Sequence, residues 1–301
     1  QDEFRILKAQ LDKRMGKQPR LSPKQMRKRS DEDIEKYNQL AVADEQEIEH
    51  EYQSEYRGKV QNRKVAIDYL PMYALSYENE QNQVKQYVAF DKQVDAYNAK
   101  QGRPNPLHII SSNPAMGEND TKRYFALIDS LSGQIDRIRD ARRSASLLLK
   151  RSFAYSVIQN FDAAIEDAST YLQIDSTSAL AYWQRAVCQS KLNDFNASQG
   201  TDIRMKTANV LSDLTEAIRY DESAYLYYNR GNVYVQRHDY AHAIEDYTHA
   251  IALDSNLAEA YYNRGLARIA NKQQEAGISD LSKAGELGLY TAYSIIKKYR
   301  K

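Results

Sequence analysis

The chain has 301 residues, with 42 Lys or Arg against 41 Asp or Glu, and this near-neutral balance disfavours nucleic-acid binding by the molecule as a whole. No stretch approaches 18 consecutive apolar residues, so the sequence holds no transmembrane-helix candidate. A single cysteine, Cys188, excludes an internal disulfide and a cysteine-based zinc site. The chain begins at Gln1 rather than Met, which is expected either after removal of a signal peptide or from an artificially chosen start.

Residues 1–56 are predicted to form a charged N-terminal segment that is largely helical or flexible. Residues 5–30 carry a net charge of +9, and residues 31–56 carry a net charge of −9. Two adjacent blocks of opposite sign can be an arm that binds an acidic surface or nucleic acid. They can also be solvated helices whose charges offset each other, and this second interpretation is favoured.

Residues 57–144 are predicted to form a small α+β region. Apolar and polar residues alternate on both sides of Leu70–Pro71, which predicts a β-hairpin over 65–69 and 73–77. Residues 106–112 are expected to add a strand to the same sheet. Helical spacing then predicts a lead-in helix that Asn119 or Asp120 caps and that buries Phe125 among its apolar residues.

The second half of the chain repeats itself. "YYNRG" occurs at 227–231 and again at 261–265, so the two copies start 34 residues apart. Matching units begin at Ala145, Ala179, Ala224 and Ala258, and the second unit runs to 45 residues. Such a period is typical of repeat architectures in which each unit packs on its neighbours.

The repeated residues resemble the tetratricopeptide repeat (TPR), a 34-residue helix-turn-helix. Small residues occupy position 8 of every unit, as in Ser152 and Gly231, and position 20 of the first, third and fourth units, as in Ala164 and Ala243. The resemblance implies a mainly α fold in which a TPR superhelix follows the α+β region. The expected TPR domain is 145–301, with repeats 145–178, 179–223, 224–257 and 258–290 and a capping helix at 291–301.

The resemblance also implies a ligand surface on the concave face of the first helix of each repeat. Asparagine amides there can hold a peptide by its main chain, and aromatic side chains supply contact area. Alternatively, these side chains pack the groove itself or a neighbouring N-terminal segment. The candidate groove residues are Trp183, Gln184, Tyr228, Asn229, Asn232, Tyr262 and Asn263.

A second set of repeated residues is assigned to structure. Position 7 is Arg and position 23 is Asp in all four units, which predicts ion pairs within or between adjacent repeats. The residues are Arg151, Arg185, Arg230, Arg264, Asp167, Asp213, Asp246 and Asp280.

The sequence offers little catalytic chemistry. Its 11 glycines form no phosphate-binding motif, and no His or Asn is placed by sequence to activate Cys188. His238, His242 and His249 form the best metal candidate, but a solvated helix face is favoured over a metal site. We therefore expect no enzyme activity, no metal and no cofactor.

The main prediction is a non-enzymatic scaffold that binds a protein or peptide in its concave groove. A polyanion or nucleic-acid binder through residues 5–30 and a structural homo-oligomer are the alternatives, and a metal-dependent enzyme is the least favoured. The layout from "YRGKVQNR" to "DLSKAGELG" also resembles a group of exported bacterial TPR proteins with no established activity. That resemblance implies an exported or periplasmic protein, with a cytoplasmic one as the alternative.

Overall fold

The computed structural model describes residues 68–78, 91–101, 106–112, 116–138, 140–198 and 204–299. All of them belong to one compact unit, Ile67–Lys301. The oppositely charged blocks at 5–30 and 31–56 lie outside the described residues.

Helices dominate the described residues, and two short strands complete them. The elements are β1 (Ala74–Ser76), α1 (Lys92–Gln101), β2 (His108–Ile110), α2 (Glu118–Arg137), α3 (Ala141–Val157), α4 (Phe161–Ile174), α5 (Ala179–Ser198), α6 (Arg204–Tyr220), α7 (Ala224–Gln236), α8 (Tyr240–Leu253), α9 (Ala258–Ala270), α10 (Gln274–Glu286) and α11 (Thr291–Tyr299).

Helices α3 to α10 form four consecutive pairs, each packed against the next, in a superhelical arrangement. The mainly α fold expected for the second half of the chain is therefore confirmed. Helix α2 packs against α3 ahead of the first pair, and α11 covers the last pair at the C-terminal end. None of the helices in the described part of the chain combines the length and apolar character needed to cross a bilayer.

The turn between the two helices of a pair recurs with the same backbone geometry. Gln159, His238 and Lys272 all occupy position 15 of their repeats, and all have φ near +60°. The residue that follows each of them donates a hydrogen bond back to the fifth residue before it, as a Schellman-type helix end requires. This left-handed turn sends the second helix back antiparallel to the first.

The small sheet of the N-terminal region is a two-stranded antiparallel pair, as predicted. Its register places Ala74 opposite Ile110 and Ser76 opposite His108. The strand predicted at 73–77 therefore pairs with the strand expected at 106–112 in the same sheet. Residues 65–67 lie outside the described part, and residues 68–73 form no strand.

The start of α2 differs from its prediction. Its N-cap is Gly117, and Asp120 lies three residues into the helix, where its Oδ2 accepts a hydrogen bond from the Gly117 N–H at 3.3 Å. Phe125 is not part of the buried face, since 52% of its surface is exposed, and the neighbouring Tyr124 is buried instead. Neighbouring residues of a helix point in different directions, and Tyr124 rather than Phe125 shares a face with the buried Ile128 and Leu131. Its hydroxyl donates to Glu78.

Candidate functional site

Residues 69–77 of the chain lie in the concave groove of the superhelix, and we call them the groove segment. The segment passes the repeats in reverse order. The Tyr77 hydroxyl donates to the Lys150 carbonyl of the first repeat, whereas the Leu70 main chain bonds to Asn263 of the fourth. Its residues Met72 to Tyr77 are all buried.

The first clamp on the segment is at Tyr73. The Tyr73 N–H donates to Asn229 Oδ1 at 2.8 Å, and Asn229 Nδ2 donates to the Tyr73 carbonyl at 2.8 Å. The indole Nε1 of Trp183 donates to the same carbonyl at 3.1 Å. Both groove side chains are fully buried, so the paired bonds satisfy groups that would otherwise be costly to desolvate.

A second clamp of the same design lies at Leu70. The Leu70 N–H donates to Asn263 Oδ1 at 2.8 Å, and Asn263 Nδ2 donates to the Leu70 carbonyl at 3.0 Å. Asn232 Nδ2 and the Tyr228 hydroxyl reach that carbonyl at 2.9 Å and 3.1 Å. Two asparagines from successive repeats therefore hold main-chain groups three residues apart.

The ring of Tyr73 fills an aromatic pocket between these clamps. It meets Tyr225 edge-on with centroids 4.9 Å apart, and Tyr228 with centroids 5.1 Å apart. Burial, followed by the nearby charge of Glu259, raises the pKa of Tyr73 well above its usual value. The phenol therefore keeps its proton at neutral pH, in a pocket that also holds the buried side chain of Glu259.

Two of the seven candidate groove residues do not bond to the segment main chain. Gln184 is buried but donates to the Ser152 carbonyl of the preceding repeat at 3.2 Å. Tyr262 packs in a C-terminal apolar cluster against which Leu70 also rests. The other five bond to the segment main chain at the two clamps: Trp183, Tyr228, Asn229, Asn232 and Asn263 act as donors, and two of the asparagines also accept.

Sequence analysis did not single out Tyr225 or Glu259, although both line the Tyr73 pocket. Both occupy position 2 of their repeats, in the first helix, whose concave face the TPR resemblance makes the ligand surface. The residue type at this position differs from one repeat to the next, so it forms no recurring pattern in the sequence.

The Arg and Asp residues at positions 7 and 23 pair within each repeat, away from the groove. In every case the guanidinium makes two hydrogen bonds to one carboxylate, and the carboxylates are nearly buried. The pairs are Arg151–Asp167 at 2.7 Å, Arg185–Asp213 at 2.6 Å, Arg230–Asp246 at 2.7 Å and Arg264–Asp280 at 2.8 Å.

Each of these arginines also reaches the preceding helix pair through Nη1. The acceptors are hydroxyl groups: Ser132 on α2 for Arg151, Ser169 for Arg185, Thr215 for Arg230 and Thr248 for Arg264. Ser169, Thr215 and Thr248 all occupy position 25, on the second helix of the preceding repeat. Helix α2, through Ser132, packs on the first repeat in the same way as those second helices pack on the repeats that follow them. The arginine column therefore ties repeats together as well as closing each one.

Comparison with known proteins bears on the helix pairs that carry these columns. Residues 231–271 match a family model described as TPR repeat. Residues 231–271 therefore carry tetratricopeptide repeat sequence. Over 109 residues it is 30% identical to tetratricopeptide repeat protein 13 of Homo sapiens, a match covering 36% of this chain. The chain spans only 11% of the length of that curated relative.

Solved structures of TPR proteins are also similar. The chain aligns with a crystal structure of MamA at 23% identity and a TM-score of 0.49, covering 60% of this chain and 99% of that one. It aligns with TTC0263, a thermophilic TPR protein of Thermus thermophilus, at 16% identity and a TM-score of 0.44, covering 59% and 91% of the two chains.

The three histidines of the third TPR have separate partners. His242 Nδ1 lies 2.7 Å from Asp239, His249 stacks on Tyr227, and His238 occupies the left-handed turn beside Tyr240. No group of three His, Cys, Asp or Glu residues that could hold a metal ion occurs in the part of the chain described.

The only cysteine lies beneath the groove segment. Cys188 is buried, and burial raises the pKa of its thiol to about 12. It lines a small cavity together with Ala74 and Leu75 of the segment. At neutral pH the group is a protonated thiol rather than a thiolate nucleophile.

Proposed function

We propose that the chain is a non-enzymatic protein-interaction module whose TPR groove binds an extended peptide through the peptide main chain. The observation that carries this proposal is the pair of asparagine clamps, Asn229 and Asn263, each of which bonds to both the N–H and the C=O of one residue. Such a contact recognises an extended backbone whatever its side chain.

The chemistry of the described groove suits binding better than catalysis. The groups that bond to the main chain of the segment are amides, a phenol and an indole, which form hydrogen bonds at neutral pH without exchanging protons. The pKa of Tyr228, for example, lies well above its usual value because the residue is buried. The arginines at position 7 are bound to aspartates outside the groove.

The test is affinity capture by the full chain and by an Asn229→Ala/Asn263→Ala double variant. A photo-crosslinking amino acid is introduced at Gln236, which is exposed and lines an open cavity next to the groove segment. We expect the wild-type chain to cross-link to extended segments of its partners and the double variant to lose these products. If the wild-type chain and the double variant cross-link to the same partners in the same amounts, the groove is not the binding surface.

Loss of two buried amides also lowers stability, so a matched control is required. Gly277→Ala disturbs a helix contact in the fourth repeat without touching the groove segment, since its added Cβ would lie 2.6 Å from the Gly265 carbonyl oxygen. This variant should keep the cross-linked partners. Loss of partners from the control as well would attribute the effect to stability and contradict the groove assignment.

A further inference from the structure

We infer that the groove segment is an intramolecular ligand, and that the groove's true partner is a protein segment of the same kind that displaces it. The partner would present an extended Leu-Pro-x-Tyr stretch, with its tyrosine in the register of Tyr73. This inference rests on the proposed function and specifies its ligand and its regulation.

The segment contacts the groove as a bound peptide does. Tyr73 is 156 residues from Asn229 in sequence, and Leu70 is 193 residues from Asn263. The bonds run from side chains of the repeats to the main chain of the segment. A peptide supplied by another protein can make the same bonds without any change in the groove.

Side-chain contacts define which peptide fits. The pocket around Tyr73 has aromatic walls, Tyr225 and Tyr228, and the buried side chain of Glu259 lies nearby. Phenylalanine would fill the aromatic walls but would remove the hydroxyl from this polar neighbourhood, so the pocket favours tyrosine.

The Leu-Pro pair matches the other clamp. The Leu70 side chain rests on the C-terminal apolar cluster around Tyr262 and Ile296, and its main chain is held by Asn263. Pro71 is exposed and brings no N–H that would need a partner, while its carbonyl accepts from the Tyr228 hydroxyl at 3.1 Å. Proline also fixes φ near the extended conformation that the groove requires.

Room remains beside the segment for a partner to begin binding. A cavity of about 460 Å³ runs along Tyr69 to Met72 and is bounded on the other side by Val187, Asn232 and Val235. Its wall also carries Lys191, Asp194 and His238. A partner peptide that continues beyond the Leu-Pro pair can occupy this cavity first and then replace the segment.

Because the groove segment is part of the same chain, it competes strongly with a free peptide for the groove. A tethered ligand acts at an effective concentration of ~1 mM. A free peptide making the same contacts at ~10 µM would therefore fill only about 1% of the grooves. Weakening the tethered segment should raise the apparent affinity for the free peptide by nearly the same factor.

The experiment measures binding of a fluorescein-labelled peptide with the sequence of residues 67–79 to the full chain by anisotropy. We expect Tyr73→Ala in the chain to bind this peptide ~100-fold more tightly than the wild type, because its own segment has lost the buried ring. A peptide with phenylalanine in place of its tyrosine should bind ~10-fold more weakly than the unchanged peptide. Adding Asn229→Ala to the Tyr73→Ala chain should abolish binding.

Cys188 gives an independent signal. Because Cys188 shares a small cavity with Ala74 and Leu75, release of the segment should speed its reaction with a thiol reagent, and saturating peptide should slow the reaction again. Circular dichroism establishes that each variant is folded. Should Tyr73→Ala unfold, Tyr73→Phe retains the ring and should still raise peptide affinity ~10-fold.

Different failures have different meanings. The inference would be overturned if a folded Tyr73→Ala chain neither binds the peptide nor reacts faster with the thiol reagent. The proposed function would still stand in that case, provided that the cross-links still depend on Asn229 and Asn263. If the Asn229→Ala/Asn263→Ala variant forms the same cross-links as the wild type, the proposed function itself would be overturned. A Tyr73-dependent dimer in light scattering would assign the groove to a second copy and overturn the separate partner.

Discussion

The arginine at position 7 shows how one residue type can carry a structural role through every repeat. Arg230 makes two bonds to Asp246, one of them at 2.7 Å, and reaches Thr215 of the repeat before. Bonding to the carboxylate raises the pKa of Arg230, so the charge is fixed across the accessible pH range. Tyr227 covers the guanidinium with its ring, 5.5 Å from centroid to Cζ.

Removing that arginine alone should be costly. We expect Arg230→Ala to lower the free energy of unfolding by ~3 kcal/mol, because Asp246 stays nearly buried without its countercharge. The Arg230→Met/Asp246→Leu double variant should recover most of the loss, since neither charge then remains. Urea unfolding of the wild type, Arg230→Met, Asp246→Leu and the double variant measures the coupling, and additive losses would show that the pair does not act as a unit.

The sequence predicted the Arg and Asp columns but not the hydroxyl column at position 25. Arg and Asp are uncommon in buried positions, so their recurrence is conspicuous. Ser and Thr also occur freely on exposed helix faces, so Thr215 and Thr248 carry no comparable signal. Their role follows only from the stacking of one repeat on the next.

At the scale of the helix, close approach between α9 and α10 depends on two glycines. A Cβ on Gly265 would lie 2.9 Å from the Gly277 carbonyl oxygen, and a Cβ on Gly277 would lie 2.6 Å from that of Gly265. Backbone cannot give way as a flexible side chain can. These are positions 8 and 20 of the fourth repeat, two of the positions whose small residues support the TPR resemblance.

Alanine substitutions should therefore have opposite effects at two helical glycines. Gly277→Ala should lower the free energy of unfolding by about 1–3 kcal/mol, because the overpacking cost exceeds the gain in helix propensity. Gly133→Ala on α2 meets nothing within 4 Å and should instead raise stability by about 1 kcal/mol. Thermal unfolding of both variants compares them directly, and a stabilising Gly277→Ala would refute the close contact.

The helices of the repeats were easier to predict than the small sheet, for a physical reason. The spacing of apolar residues within a helix is enough to predict it, and here the same spacing recurs in four repeats. A strand needs a partner, and the alternation at 73–77 fits any partner equally well. The true partner, His108–Ile110, is more than 30 residues away in sequence.

At the scale of the whole molecule, the groove segment adds long-range contacts to an otherwise local architecture. Stacked repeats touch mainly their neighbours, and their stability is close to a sum of nearest-neighbour terms. Here one segment contacts Phe153 in the first repeat, Trp183 in the second, Asn229 in the third and Asn263 in the fourth. Sequence analysis left such an internal occupant open as an alternative, because candidate groove residues do not reveal what fills the groove.

The segment should therefore make unfolding of the repeats more cooperative. Trp183, the only tryptophan, is buried and bonds to the segment, so its fluorescence reports on the second repeat while circular dichroism reports on all helices. In urea the two signals should coincide for the wild type. In Tyr73→Ala the fluorescence transition should occur at lower urea than the loss of helix, because the second repeat loses its tie to the others.

Phe125→Ala is the control for that comparison, since its ring is 52% exposed and lies outside the groove. Its two transitions should stay together. Coincident transitions in Tyr73→Ala would mean that nearest-neighbour packing alone makes the array cooperative. The segment would then bind in the groove without coupling the repeats to one another, and its displacement by a partner would leave the superhelix as stable as before.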